Sequence, residues 1–285
     1  MIKVFYDKRQ SARSNESFSP SAQKPEQVVK IWQKHFPISM ESFGPATTEE
    51  ISLVHDERYV QSVLSCKTNN GFGNKSAEIA EALPWVVGSM VSAAVHAFKT
   101  KESCFSPTSG AHHAGYFSGG GFCTFNHLVL AACMAHQKGA RKIGLIDLDC
   151  HYGDGSQDIL DHLNIDYIEH YTFGRRSPAA GSPSDEWLKK LPQLLFPMKD
   201  CDLLIYNAGV DPHINDPLGG ILTTEQMYKR DLIVYEFAVA NKIPIVTSLA
   251  GGYQRDKDGS INPVLELHNN TMKAFVNANS IGGAL

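Results

Sequence analysis

The chain reads as an α/β protein: one domain over residues 1–285, with a mainly parallel sheet flanked by helices on both faces. Three observations predict this. Short apolar runs recur along the whole chain in the pattern of strands buried on both sides. Longer stretches with apolar residues at helical spacing alternate with them, which is the order that builds parallel sheets. The polar residues with chemical potential fall just after strand ends, on the rim where such sheets bind ligands. A composition 42% apolar is enough for a substantial core. No Pro/Ser linker, low-complexity block or internal repeat divides the chain.

Taken in order, residues 2–6 form a first strand, and a polar loop over residues 7–24 reaches toward the rim of a site. Pro25 suits the first turn of a helix that places Val28, Ile31, Trp32 and His35 at helical spacing. Thr47-Thr48-Glu49-Glu50 is a capping box that opens a short helix, and residues 55–60 continue into another. Asn69-Asn70-Gly71-Phe72-Gly73-Asn74 is a turn. Leu83, Val86, Val87, Met90, Val91, Ala94 and Phe98 mark a core helix, residues 103–106 a strand, and residues 128–137 a helix that leads into the central strand. Downstream the alternation repeats, with strands at 165–168, 202–206 and 244–249 and helices at 185–195 and 223–240.

With 26 basic against 30 acidic residues the net charge is −4, so the chain carries no electrostatic footprint for nucleic acid or an anionic membrane. The first nine residues place charges where a signal peptide needs apolar ones, and no apolar run approaches transmembrane length; the expectation is a soluble, cytoplasmic protein with no membrane partner. Six cysteines are scattered without a C-x-x-C pair and read as reduced thiols.

The chemistry centres on the stretch from Lys142 to Gly155, an apolar run that ends in Asp147-Leu148-Asp149-Cys150-His151-Tyr152-Gly153-Asp154-Gly155. Read as a strand, its alternation sends Asp147, Asp149 and His151 to one side and Cys150 to the other. Carboxylates and an imidazole converging there call for a cation. Zinc comes first, with iron(II), cobalt or manganese as alternatives. Asp211, after an apolar strand and Gly209, is the third protein ligand, which leaves coordination open as in a catalytic site. His112 and His113 follow another strand, and Asp147 and Asp154 remain to pair with them. A carboxylate on one ring nitrogen fixes the tautomer and raises basicity, so the two pairs can be tuned apart. Tyr253, behind Gly251 and Gly252, offers a phenol to a developing oxyanion, and Gly121 and Phe122 wall a substrate channel. Singly, each has a plainer reading: Asp154 as a helix cap, Asp211 as a turn residue, the histidines as a solvated loop, and Tyr253 and Phe122 as packing.

Taken together, His112-His113, Gly121-Phe122-Cys123, Asp147-x-Asp149-x-His151-x-Gly153-Asp154-Gly155, Gly209-Val210-Asp211 and Gly251-Gly252-Tyr253 resemble, in this order, the histone deacetylase and acetylpolyamine amidohydrolase family. The resemblance runs from the Pro25 helix to Tyr253. It implies the arginase-deacetylase fold and zinc-dependent hydrolysis of an N-acyl amine, such as an acetylated lysine side chain or polyamine. It casts Asp149, His151 and Asp211 as metal ligands, His113 as general base and acid, and His112 as its electrostatic partner. Asp147 and Asp154 become the histidine partners and Tyr253 the oxyanion donor, and a potassium ion is implied near Asp147.

The sequence also departs from that family. Pro107-Thr108-Ser109-Gly110-Ala111 replaces Arg-Pro-Pro-Gly before the paired histidines, and Tyr152 stands where a histidine often follows. The loop at 173–183 carries Arg175 and Arg176 in place of tunnel aromatics, and Asn74 or Lys75 falls near the position of the rim aspartate. Two rival functions follow from the residues themselves. One is a non-catalytic module holding metal or an acylated ligand, which has no need of base and phenol together. The other is a two-metal ureohydrolase, which wants further aspartates in place of His112 and Tyr253.

Overall fold

The computed structural model describes residues 1–12, 17–176 and 184–282, with only the backbone of residues 175, 176, 281 and 282. Among these, β1 (Ile2–Val4), β2 (Ile38–Met40), β3 (Cys104–Ser106), β4 (Ile143–Asp147), β5 (Ile168–Thr172), β6 (Leu203–Gly209) and β7 (Ile245–Ala250) form one sheet. Its order is β2-β1-β3-β7-β6-β4-β5, and every neighbouring pair is parallel. The crossovers carry α1 (Lys24–His35), α2 (Thr48–Ile51), α3 (Glu57–Leu64), α4 (Ala77–Thr100), α5 (His127–Gln137), α6 (Asp154–His162), α7 (Phe173–Arg176), α8 (Ser184–Leu195) and α9 (Thr224–Ala240), and α10 (Asn262–Gly282) follows β7.

Strand alternation feeds two cores. Ile143 and Leu145 of β4 and Leu203 and Ile205 of β6 pack with α3, α4, α5 and α6. Ile146, Leu204 and Tyr206 point the other way, against α1, α8, α9 and α10. A strand covered on both sides has no position for a polar residue, which is why these runs read as continuously apolar. Each such side chain contributes about 1.5–3 kcal/mol on burial. Helix starts are set locally. Thr47 with Glu50 and Thr223 with Gln226 close capping boxes, and Pro25 lies in the first turn of α1.

The expected α/β class holds, with local corrections. The strand expected at 165–168 is displaced to β5, whose Glu169 and His170 are half-buried because β5 is an edge strand. The apolar character of residues 165–167 serves packing instead: Tyr167 stacks on His136 of α5 at 3.7 Å between centroids. β6 runs on to Gly209 because Asn207, Ala208 and Gly209 pair with Ser248, Leu249 and Ala250. The first strand is shorter than expected, and β2 and α10 stand where no element was expected. α10 escapes a pattern reading because Asn269, Asn270 and Thr271, weak helix formers, interrupt its apolar positions.

α4 overturns the expectation that no run approaches transmembrane length. It has 24 residues and a most apolar window of mean hydropathy 1.3, long and apolar enough to cross a membrane by length and composition. Just over half of that window, 56%, is buried within the protein, where Val87, Met90, Ala93, Ala94 and Ala97 form core.

Candidate active site

β4 ends at Asp147, so strand alternation does not extend to Asp149 and His151 as expected; both lie in a bent segment before α6. Convergence is achieved by that bend and by the adjacent end of β6. Asp149 Oδ1 accepts from the His151 backbone N–H at 3.0 Å, and His151 Nδ1 lies 2.9 Å from both Asp149 Oδ1 and Asp211 Oδ2. The Cys150 backbone N–H, in turn, donates to Asp211 Oδ1 at 3.2 Å. Gly209 is required here because a Cβ would stand 2.4 Å from the Asp149 Cα. Gly251, at φ +48°, is required because its Cβ would meet the Asp211 carboxylate at 2.2 Å.

These residues fit a divalent cation. Asp149 Oδ, His151 N and Asp211 Oδ offer one ligand atom each, all within 4.8 Å of one another. Ligands of a tetrahedral zinc sit ~3.3 Å apart, given metal–ligand bonds of about 2.0–2.1 Å. Asp211 Oδ2 is buried and faces His151 Nδ1 at 2.9 Å. Burial, together with the like charge of Asp149, pushes the Asp211 carboxyl up to about 7. Hydrogen bonding of the His151 ring to the acceptor carboxylates of Asp149 and Asp211 pushes the imidazole up to about 10. Two buried carboxylates this close are stable together only with positive charge between them.

Two imidazole–carboxylate pairs flank the ligands. His112 Nδ1 is 2.8 Å from Asp147 Oδ2, while the other carboxylate oxygen accepts from Asn207 Nδ2 at 2.8 Å. His113 Nδ1 is 2.5 Å from Asp154 Oδ1. Asp154 is not the helix cap: Gly153 holds that position, and Asp154 sits in the first turn of α6. Burial lowers the His112 imidazole, but Asp147, Asp149 and Asp211 outweigh it and lift the ring to about 10. Burial and the neighbouring His112 charge hold His113 below the ordinary imidazole range.

Tyr253 is 7% exposed, and its backbone N–H donates to Asp216 Oδ2 at 2.7 Å. Burial, with Asp149 and Asp211 close by, raises its phenol far above the usual range and keeps it protonated. Phe122, at φ +65°, adopts a backbone conformation unusual for a bulky residue, and its N–H is held by the Gly71 carbonyl at 2.9 Å. Its ring lies 5.5 Å from that of Tyr253 and 6.0 Å from Phe72. Gly121 lets this loop pass over His113, since a Cβ would come within 2.6 Å of the imidazole. Between these groups lies a cavity of about 10 Å³ bordered by His112, Asp149, Phe122, Gly251 and Tyr253.

Several residues of the site went unread in the sequence. Lys24 is wholly buried, donates to the Gly251 carbonyl, and is lowered by burial to about 8. Asp216 holds the Tyr253 backbone, and Phe18 stacks on the Tyr253 ring at 5.6 Å. Lysine and a lone loop phenylalanine carry no sequence signal of burial or contact. Asn74, proposed near the rim, spends its side-chain oxygen within its own loop, on Asn70 and the Ser76 N–H. Of the loop expected at 173–183, Phe173–Arg176 form α7 instead, while the side chains of Arg175 and Arg176 and all of residues 177–183 lie outside the described residues.

The fold and the site define the class first: a parallel α/β domain that gathers carboxylates, imidazoles and a phenol at one rim. The chain belongs to the histone deacetylase family: the histone deacetylase domain model matches residues 21–186 and 164–263. Among similar proteins, an uncharacterized protein of Picosynechococcus sp. is 30% identical over 229 residues, 72% of this chain and 76% of that one. Histone deacetylase 2 of Arabidopsis thaliana is 29% identical over 74% of this chain, which spans 62% of that protein's length. The acetylpolyamine amidohydrolase of Mycoplana ramosa is 25% identical over half of this chain, spanning 49% of its own length. The HDA15 HD domain shares the fold at TM-score 0.77 and 18% identity, over 99% of this chain and 92% of that one.

Proposed function

We propose that the protein is a zinc-dependent deacylase that hydrolyses the linear amide of an N-acyl amine, an acetylated lysine side chain or a small acetylated amine such as a polyamine. One observation carries this reading: Asp149, His151 and Asp211 converge, two differently tuned imidazoles lie beside them, and His112 and the protonated Tyr253 phenol border the same small cavity as Asp149. Asp149, His151 and Asp211 would hold the metal. When bound, it supplies Lewis acidity toward the amide carbonyl and makes water more acidic.

The chain's own groups do the rest. His113, neutral at physiological pH and steadied by Asp154, takes a proton from the attacking water. The new C–O bond forms as negative charge gathers on the carbonyl oxygen, and the Tyr253 hydroxyl donates to that oxygen. His112, kept charged by Asp147, balances the developing anion. The C–N bond then breaks, His113 returns its proton to the leaving nitrogen, and a carboxylate and an amine depart. A potassium ion near Asp147 belongs to the same proposal and rests on the family resemblance.

Turnover of a panel of N-acyl amines by zinc-loaded protein, with a chelator control, tests the reading. We expect chelator-sensitive release of acetate from an acetyl-lysine peptide or an acetylpolyamine. Metal-loaded protein that hydrolyses no member of the panel would leave a binding module as the better description.

A further inference from the structure

Arg230, on α9, is fully buried, as is its neighbour Asp231 at 2% exposure. Taking a guanidinium out of water is costly, so its hydrogen bonds must be well placed for it to persist. Arg230 Nε donates to Asp231 Oδ1 at 2.8 Å, and Nη2 lies 2.7 Å from the same oxygen. Nη1 donates to two backbone carbonyls, Leu148 at 3.1 Å and Gly209 at 2.7 Å. These carbonyls stand where two neighbouring strands leave the sheet. Leu148 directly precedes Asp149, and Gly209 comes two residues before Asp211.

Asp231 is itself anchored from behind: Tyr206 of β6 donates to Oδ1 at 2.5 Å and Thr271 of α10 to Oδ2 at 2.6 Å. The guanidinium is therefore a fixed fork whose free edge ties together the segments carrying Asp149 and Asp211. Nη1 alone reaches both carbonyls while Nε and Nη2 stay on Asp231, and the single nitrogen of a lysine cannot span from Asp231 to both carbonyls at once.

We infer that Arg230 is a positioning residue for the metal site: by bridging the Leu148 and Gly209 carbonyls it sets the spacing of the Asp149 and Asp211 carboxylates. The inference rests on the metal site of the proposed function, but its test does not depend on amide turnover. Cobalt(II) serves as the probe, because its visible absorption reports the geometry of its ligands and its titration gives an affinity. The R230K variant is expected to bind cobalt(II) at least ~10-fold more weakly, the loss typical of residues that orient ligands, with an altered spectrum. T271V, which weakens only the rear anchor of Asp231, is expected to lower Tm and leave cobalt affinity and spectrum unchanged.

Wild-type cobalt affinity and spectrum in R230K would overturn the inference whatever its Tm, as would an equal loss of affinity in T271V. Should R230K fail to fold, the R230Q/D231N double variant removes both buried charges together and must show the same loss. Wild-type protein that binds cobalt but hydrolyses no amide would sink the deacylase reading and leave this inference standing. Wild-type protein that binds no cobalt would sink both.

Discussion

His112–Asp147 and His113–Asp154 are the same chemical pair one residue apart, yet the molecule gives them opposite behaviour. The first is sealed, with side chains 5% and 1% exposed; the second is open, at 23% and 63%. Sealing alone lowers an imidazole, so burial cannot explain why His112 is raised. What differs is the company. His112 faces Asp147, Asp149 and Asp211, whereas His113 faces the charge that His112 thereby acquires. Charging one ring discourages charging of the other. Under the proposed function, the neighbouring carboxylates would set the roles of both histidines, one as fixed cation and one as proton carrier.

The sharpest way to break this division is to remove each ring in turn. His113→Ala should lower kcat by ~10²–10⁴, the contribution of a general acid–base group, with little change in cobalt(II) affinity. His112→Ala should lose less, because it removes a charge that assists and not the proton path. Steady-state kinetics of the two variants checks the order, and a greater loss at His112 would reverse the assignment.

Tyr253→Phe comes next. If the phenol faces the anion that His112 also balances, losing its hydroxyl should cost about 3 kcal/mol of transition-state stabilisation, roughly 10²-fold in kcat, with KM little changed. An unchanged kcat would remove Tyr253 from the chemistry and leave it as part of the aromatic wall with Phe18 and Phe122.

The sequence made the class of fold legible because β4 and β6 are buried on both sides and are apolar up to their site-bearing ends, Asp147 and Asn207. The edge strand β5, with Glu169 and His170 half-buried, lacks that constraint and was misplaced. Asp149, His151 and Asp211 were legible as residue types at strand ends, but the reason first given for their convergence fails, since the strand stops at Asp147. Their meeting depends on the bend after β4, on Gly209 and Gly251, and on the Arg230 fork, all long-range features. Lys24 and Arg230 were invisible for a related reason: charged side chains read as surface unless their partners, brought from far along the chain, are already known.

The smallest effect, and the most discriminating, is on pH dependence. Protonated His113 cannot accept a proton, so the rate falls as pH drops through its pKa, which lies below the ordinary imidazole value. Asp154 favours the imidazolium, so Asp154→Asn should move this acidic limb to still lower pH, with a loss of rate of roughly tenfold or less at neutral pH, where His113 is neutral either way. If His112 works as a cation, the rate should fall as pH rises through its pKa, which, against burial, the neighbouring carboxylates, Asp147 foremost, raise above the ordinary imidazole value. Asp147 is the first of the carboxylates that hold that charge, so Asp147→Asn should move the basic limb downward and leave the acidic limb to His113. The two substitutions are the same chemical change, and they must shift opposite limbs of one pH–rate profile. If both moved the same limb, the two pairs would act as a single coupled unit, and the contrast in their surroundings would have no bearing on catalysis.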